Sequence, residues 1–170
     1  MQRWPDVPAA FGWLRLDRRG RWYLIDRNAP GFDETEHGQG SLITSEQIIE
    51  FISRNYAGDD QGRWYWQNGP QKAYADLELA PLILRVITTD GRPALVTHTG
   101  HPVTEVSAAY ASNEGSLFAQ TNLGPAAIHD MDLAALDLQE DQVTLLGQRF
   151  DLQTLNAPAP QALNFNPKPR

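Results

Sequence analysis

Histidine and carboxylate side chains supply most of the chemistry open to this 170-residue chain, and the tightest grouping is His98 and His101 with Glu105 four residues further on. Imidazole and carboxylate together ligate ions such as zinc, so the activity they would serve is that of a small metal-assisted hydrolase. The two histidines are spaced i, i+3 across Gly100, with Pro102 adjacent, rather than at the helical i, i+4 that usually delivers a first pair of ligands. A turn with two solvated histidines explains the pattern more simply. His129 with Asp130 and Asp132 has the ingredients of acid–base catalysis, because a carboxylate can orient an imidazole and hold its pKa near neutrality. Neighbours on a strand face opposite ways, so the two aspartates share a face without the histidine. They read as a solvent-facing alternation beside Met131 and Leu133, the pattern that Asp76 and Glu78 make beside Leu77 and Leu79.

Other reaction classes lack their parts. No Gly-x-Ser-x-Gly elbow is present, and Gly38-Gln39-Gly40 lacks the later glycine and lysine of a phosphate-cradling loop. The chain has no cysteine, which excludes disulfides, thiolate nucleophiles and cysteine-ligated metal, and makes a cytoplasmic location the simplest expectation. No cofactor is implied. Arg15, Arg18, Arg19, Arg21 and Arg27, interleaved with Trp13, Trp22 and Tyr23, form the best case for an anionic ligand or single-stranded nucleic acid. Asp17 and Asp26 sit inside that group, and a charged hairpin tip is ordinary protection of a sheet edge. A net charge of -7 argues against duplex DNA and against an anionic membrane. The longest apolar run, residues 79–84, is far too short to span a bilayer.

The elements that must position these groups are mostly strands. Two short apolar runs around Asp17-Arg18-Arg19-Gly20-Arg21 predict a hairpin, and residues 28–40, rich in glycine and acidic groups, predict a mobile loop. A helix is expected over 45–56, with Thr44 and Gln47 as a capping box, Ile48, Ile49, Phe51, Ile52 and Tyr56 at helical spacing, and Gly58 as the stop. A second hairpin turns at Asn68-Gly69-Pro70. Its first strand carries Trp64, Tyr65 and Trp66, of which alternation sends both tryptophans to one face, expected to lie under the helix. A third turns at Asp90-Gly91 and a fourth at Asn122-Leu123-Gly124-Pro125. Further short strands are expected over 136–152, and residues 156–170 read as an extended proline-rich tail pinned by Leu163 and Phe165.

The chain also echoes itself. Leu14-Arg15-Leu16 followed by Gly20-Arg21 matches Leu84-Arg85-Val86 followed by Gly91-Arg92. Gly62, Tyr65, Gln67, Asn68, Gly69-Pro70 and the run from Asp76 to Ala80 match Gly115, Phe118, Gln120, Asn122, Gly124-Pro125 and the run from Asp130 to Ala134. The connectors differ, since the first holds the helix and the second, residues 100–113, offers at best a short one.

With Asp17, Gly20 and Trp22, Gly40-Ser41-Leu42-Ile43, Gly62 to Gln67, Asp76 to Pro81 and Thr121-Asn122-Leu123-Gly124, the chain resembles a group of bacterial domain-of-unknown-function families over residues 12–130. That resemblance implies a duplicated strand–helix–strand architecture with no established activity, and a signalling or ligand-sensing role. It carries no catalytic residue. Where those families place a Thr-Pro-x-Glu-Lys turn, this chain has Gln67-Asn68-Gly69-Pro70-Gln71-Lys72, with Gln71 in place of the glutamate.

The sequence therefore reads as α+β, mostly β: two similar antiparallel sheet units over 12–81 and 82–155, the first with one amphipathic helix, preceded by an N-terminal segment 1–11 and followed by a tail 156–170. The expected function is a non-enzymatic module for a small polar ligand or a protein partner, monomeric or homodimeric. Its expected site is the junction of the units, with Gln67, Asn68, Gln120 and Asn122 backed by Trp64 and Trp66, because neutral amides donate and accept at once. The alternatives are the metal-assisted hydrolase on His98, His101 and Glu105, and an assembly factor that pairs through its tryptophan-rich strand.

Overall fold

A computed structural model describes residues 8–170. Residues 1–7 of the expected N-terminal segment lie outside it, and Ala10 and Phe11 already belong to the first strand, β1 (Ala10–Leu16). Next come β2 (Trp22–Leu24), α1 (Glu34–His37), β3 (Ser41–Leu42), α2 (Glu46–Arg54), β4 (Tyr56–Gly58), β5 (Trp64–Asn68) and β6 (Gln71–Leu77). Then follow β7 (Leu82–Thr89), β8 (Arg92–Thr97), β9 (Val106–Ala111), β10 (Leu117–Thr121), β11 (Gly124–Ile128), a 3-10 turn (Asp130–Ala135), β12 (Asp137–Leu138), β13 (Gln142–Leu145), β14 (Gln148–Thr154) and α3 (Ala159–Leu163). Among the described residues the strands form a six-stranded sheet, β3-β2-β1-β6-β5-β4, and an eight-stranded sheet, β12-β13-β14-β9-β10-β11-β7-β8.

Five strands of each sheet follow one plan. The order β2-β1-β6-β5-β4 reappears as β8-β7-β11-β10-β9. The registers agree as well: Leu14 pairs with Ala75 as Leu84 pairs with Ile128, and Leu14 pairs with Leu24 as Leu84 pairs with Thr97. Both sheets are mixed rather than antiparallel, because β6 returns beside β1, and β11 beside β7, in parallel. A parallel return needs a long crossover, and each motif supplies one between its first and last hairpins.

Several local expectations change. The helix is capped by Ser45, whose Oγ accepts the Ile48 N–H, and it ends at Asn55, whose side chain donates to the Phe51 carbonyl. Tyr56 starts β4, so Gly58 is not the stop. Ile52 is buried, whereas Ile48 and Phe51 keep much of their surface exposed. The loop over 28–40 contains the short helix α1, capped by Asp33, and Arg27 ties Glu34 of that helix to the Gly12 carbonyl. The second connector holds a strand, β9, and no helix. Its apolar Val106 and Tyr110 pack as strand residues because β10 and β14 flank them.

One turn shape serves four places. At residues 17–21, 59–63, 97–101 and 112–116 the first N–H donates to the fifth carbonyl, and the fourth residue, a glycine, donates back to the first carbonyl. This is a type I turn closed by a left-handed residue, so glycine is needed at Gly62 (φ 76°) and Gly115 (φ 84°). A single core runs through both sheets, from Leu14, Leu16, Trp22 and Trp64 to Leu82, Ile83, Leu84, Phe118 and Val143. The tail is not simply extended. It forms α3, buries Leu163 and Phe165, and straps back onto the first sheet.

Candidate functional site

His98 follows β8 and turns inward. Its ring lies 5.4 Å from Trp22 and 5.6 Å from Tyr56, its Nδ1 accepts the Ile83 N–H at 3.2 Å, and its Nε2 is buried with no partner among the described residues. Burial pushes its pKa down to about 3, against a smaller opposing pull from Asp17. His101 and Glu105 are exposed, and among the described residues no three His, Asp or Glu side chains come together in a way that could hold a metal. Trp22 and His98 instead line the seam between the sheets with Tyr56 and Trp64.

The tryptophans are packed, and two of the four amides are engaged. Trp64 is buried against Gly58 and packs on Gly124 of the second motif, on one wall of a cavity of about 210 Å3 that Thr97, Thr99, His101 and Leu123 complete. Trp66 meets Phe51 of α2 edge to face at 5.8 Å, so the helix covers this tryptophan and the other sheet covers its neighbour. The Gln67 amide donates to the Gly69 carbonyl of its own turn, and Asn122 Oδ1 accepts the N–H groups of Thr104 and Glu105. Asn68 is exposed, and Gln120 lies within β10. β5 is paired on both sides, by β4 and β6, so its backbone is closed to the strand pairing an assembly factor would need.

The acidic echo holds arginines. Asp130 and Asp132 lie on the 3-10 turn rather than a strand, with His129 Nδ1 accepting the Met131 N–H as its cap. Asp130 takes both nitrogens of Arg19 (3.1 and 3.0 Å), which joins the first motif to the second. Asp132 takes Arg85 and also accepts the Val86 N–H, which caps an open stretch of β7. Glu78 does the same for Arg18, accepting both its backbone N–H and its Nε. Asp76 takes Arg170 of the tail. The Arg85 guanidinium outweighs burial and holds the Asp132 carboxyl below its usual range.

The remaining arginines of the candidate anion patch are also engaged. Arg21 pairs with Asp17, Arg27 with Glu34, and Arg15 lies over the Tyr23 ring while donating to the Gln39 carbonyl. Burial raises the Asp17 pKa, but the Arg21 and Arg19 N–H groups, the Arg21 guanidinium and the Tyr23 hydroxyl together hold it below the ordinary value. Asp59 repeats the backbone and guanidinium contacts atom for atom through Gln61 and Arg63, with no hydroxyl in the place of Tyr23. The spacing Asp-x-x-Gly-Arg, present at both places, is a signal that sequence reasoning missed.

A larger hollow, of about 520 Å3, opens where the end of the first sheet, the turn over 112–116 and the strap meet. Arg18 and Glu78 stand on one side and Asn113 and Ser116 on another, with Phe118 and Leu155 as its apolar walls. Asn113 and Asn156 present exposed amides there, the donor–acceptor chemistry expected of the site but from other residues.

The chain belongs to the family described as protein of unknown function (DUF2946), whose model matches residues 1–165. No curated protein matches it. Among solved structures it is similar to a DUF1285 family protein from Shewanella baltica OS155, with 11% identity and a TM-score of 0.50 over 73% of this chain and 89% of that one. The likeness is one of fold. Among the described residues no helix is long and apolar enough to cross a membrane.

Proposed function

We propose that the chain is a non-catalytic binding module whose seat is the 520 Å3 hollow, and that its two sheets are copies of one ancestral motif. The observation that carries the reading is the hollow's position, since both sheets and the strap wall it and a ligand there would touch all three. Its charged pair, Arg18 and Glu78, is mutually neutralised, while Asn113 and Asn156 are left to select by hydrogen bonding. The carboxylates Asp17, Asp59, Asp76, Glu78, Asp130 and Asp132 each hold an arginine, which commits them to structure rather than to proton transfer.

A thermal-shift screen of small polar compounds tests this. A compound at a hundred times its Kd should stabilise the chain by about 2.7 kcal/mol. Asn113→Ala and Asn156→Ala should weaken its binding about tenfold while changing unliganded stability by no more than about 0.5 kcal/mol, as surface substitutions do. Compounds whose binding ignores both substitutions would place the seat elsewhere.

A further inference from the structure

One gap in the fold is filled in the first motif and vacant in the second. The β5–β6 pairing sets Tyr65 opposite Tyr74, and the same register carried three residues on sets Gly62 opposite Leu77. Those two residues do not bond each other. The strap inserts between them: Asn166 N–H donates to the Gly62 carbonyl at 2.7 Å, and Leu77 N–H donates to the Pro167 carbonyl at 2.8 Å. Phe165, just before the insert, is buried, and a Cβ on Gly62 would lie 2.7 Å from the Asn164 carbonyl oxygen.

In the second motif β10–β11 sets Phe118 opposite Ala127, and the same extension sets Gly115 opposite Asp130. No segment bridges them. The Gly115 carbonyl and the Asp130 N–H have no hydrogen-bond partner among the described residues, and nothing lies within 4 Å of where a Gly115 Cβ would stand. The 520 Å3 hollow adjoins this turn through Asn113, Glu114, Ser116 and Phe118.

We infer that the vacant gap takes an extended peptide of the strap's own kind, an aromatic residue followed by a residue with a free N–H and then proline. The assignment rests on the hollow being the binding seat. The residue after the aromatic donates to the Gly115 carbonyl, the next carbonyl accepts from Asp130 N–H, and the aromatic ring enters the hollow against Phe118 and Leu155. Glu114 at its border favours basic residues beyond the proline, such as the Lys168 and Arg170 that follow Pro167 in the strap.

The test is titration of a synthetic peptide of residues 161–170 into the intact 15N-labelled chain. Saturable shifts of the Gly115, Ser116, Phe118 and Asp130 amides are expected, with none from a scrambled peptide and at least tenfold weaker binding when the residue corresponding to Phe165 is alanine. Shifts confined to Gly62, Leu77 and Asn166 would mean that the peptide only exchanges with the strap, and would overturn the assignment. So would the absence of saturable shifts. If small compounds still bind through Asn113 and Asn156, the peptide assignment alone fails; if neither binds, the seat fails with it.

Discussion

Ile25 and His98 occupy the same place in the two motifs, each donating its N–H to a carbonyl of the neighbouring first strand, Trp13 at 2.8 Å and Ile83 at 2.7 Å. One is aliphatic and satisfied. The other is a buried imidazole with an orphaned Nε2. Gly62 and Gly115 make the same kind of pair: identical turns, one sealed by the strap and the other facing open space. Hydrogen-bond register repeats between the motifs because the backbone dictates it, whereas what fills each equivalent position depends on what else reaches it. The first motif is closed by the strap, and the second keeps an open position at Gly115.

Substitutions at paired positions sharpen or break this contrast. Phe165→Ala removes the aromatic that pins the strap over the first motif, and urea unfolding should show a loss of about 3–5 kcal/mol. A loss below about 1 kcal/mol would mean that the strap does not close that motif. Gly62→Ala should cost about 3 kcal/mol, since backbone strain adds to a collision with the Asn164 carbonyl, while Gly115→Ala should cost only the strain, about 1–2 kcal/mol. Equal costs would erase the asymmetry.

The turn carboxylates give a smaller difference. Asp59 accepts two backbone N–H groups and the Arg63 guanidinium, whereas Ser112 Oγ accepts the Ser116 N–H. Asp59→Ala should lower stability by about 2 kcal/mol and Ser112→Ala by about 1 kcal/mol, read from denaturant midpoints at pH 7.

His98 titrates where its counterpart Ile25 cannot. Its folded pKa of about 3 lies below the ordinary 6.5, so between those values the unfolded chain binds a proton that the folded chain does not. Stability should therefore rise with pH through that window by about 1.4 kcal/mol per pH unit and level off above it. Between pH 5 and 6, above the range in which the lowered Asp17 and Asp59 carboxylates contribute, His98→Ile should reduce the slope, leaving the part owed to His129, whose pKa burial also lowers. An unchanged slope would show that the imidazole is not shut away. Arg19→Ala, which cuts an exposed ion pair between the motifs, should cost under about 1 kcal/mol, so that packing of the seam rather than this bridge joins them.

Much of the strand content was legible because hairpins are local. Asp90-Gly91 and Asn68-Gly69-Pro70 mark their turns by residue type, and the echo set Leu14 with Leu84 and Gly62 with Gly115, as the strand registers do, but set Asp130 with Asp76, where the register sets it with Leu77. The parallel returns of β6 and β11 were not legible, since nothing in Ala73 or Ala126 names a partner so far along the chain. β9 was hidden although its partner β10 is local, because its other neighbour, β14, comes much later in sequence. The arginine partners of the acidic residues were hidden for a similar reason. Arg19 lies 111 residues from Asp130, and Arg170 lies 94 from Asp76, so their ion pairs leave no trace in local spacing. The proposed seat was no more legible: the amides Gln67 and Asn122 serve their own surroundings, while Asn113 and Asn156 border one hollow only after the strap folds back.

Amide hydrogen exchange at two equivalent positions of the intact chain tests the filled and vacant gaps most directly. Leu77 N–H, held by the Pro167 carbonyl, should exchange only on unfolding, whereas Asp130 N–H should exchange near the rate of a free amide. An Asp130 amide as protected as that of Leu77 would mean that the second gap is already closed, and the peptide assignment would be lost.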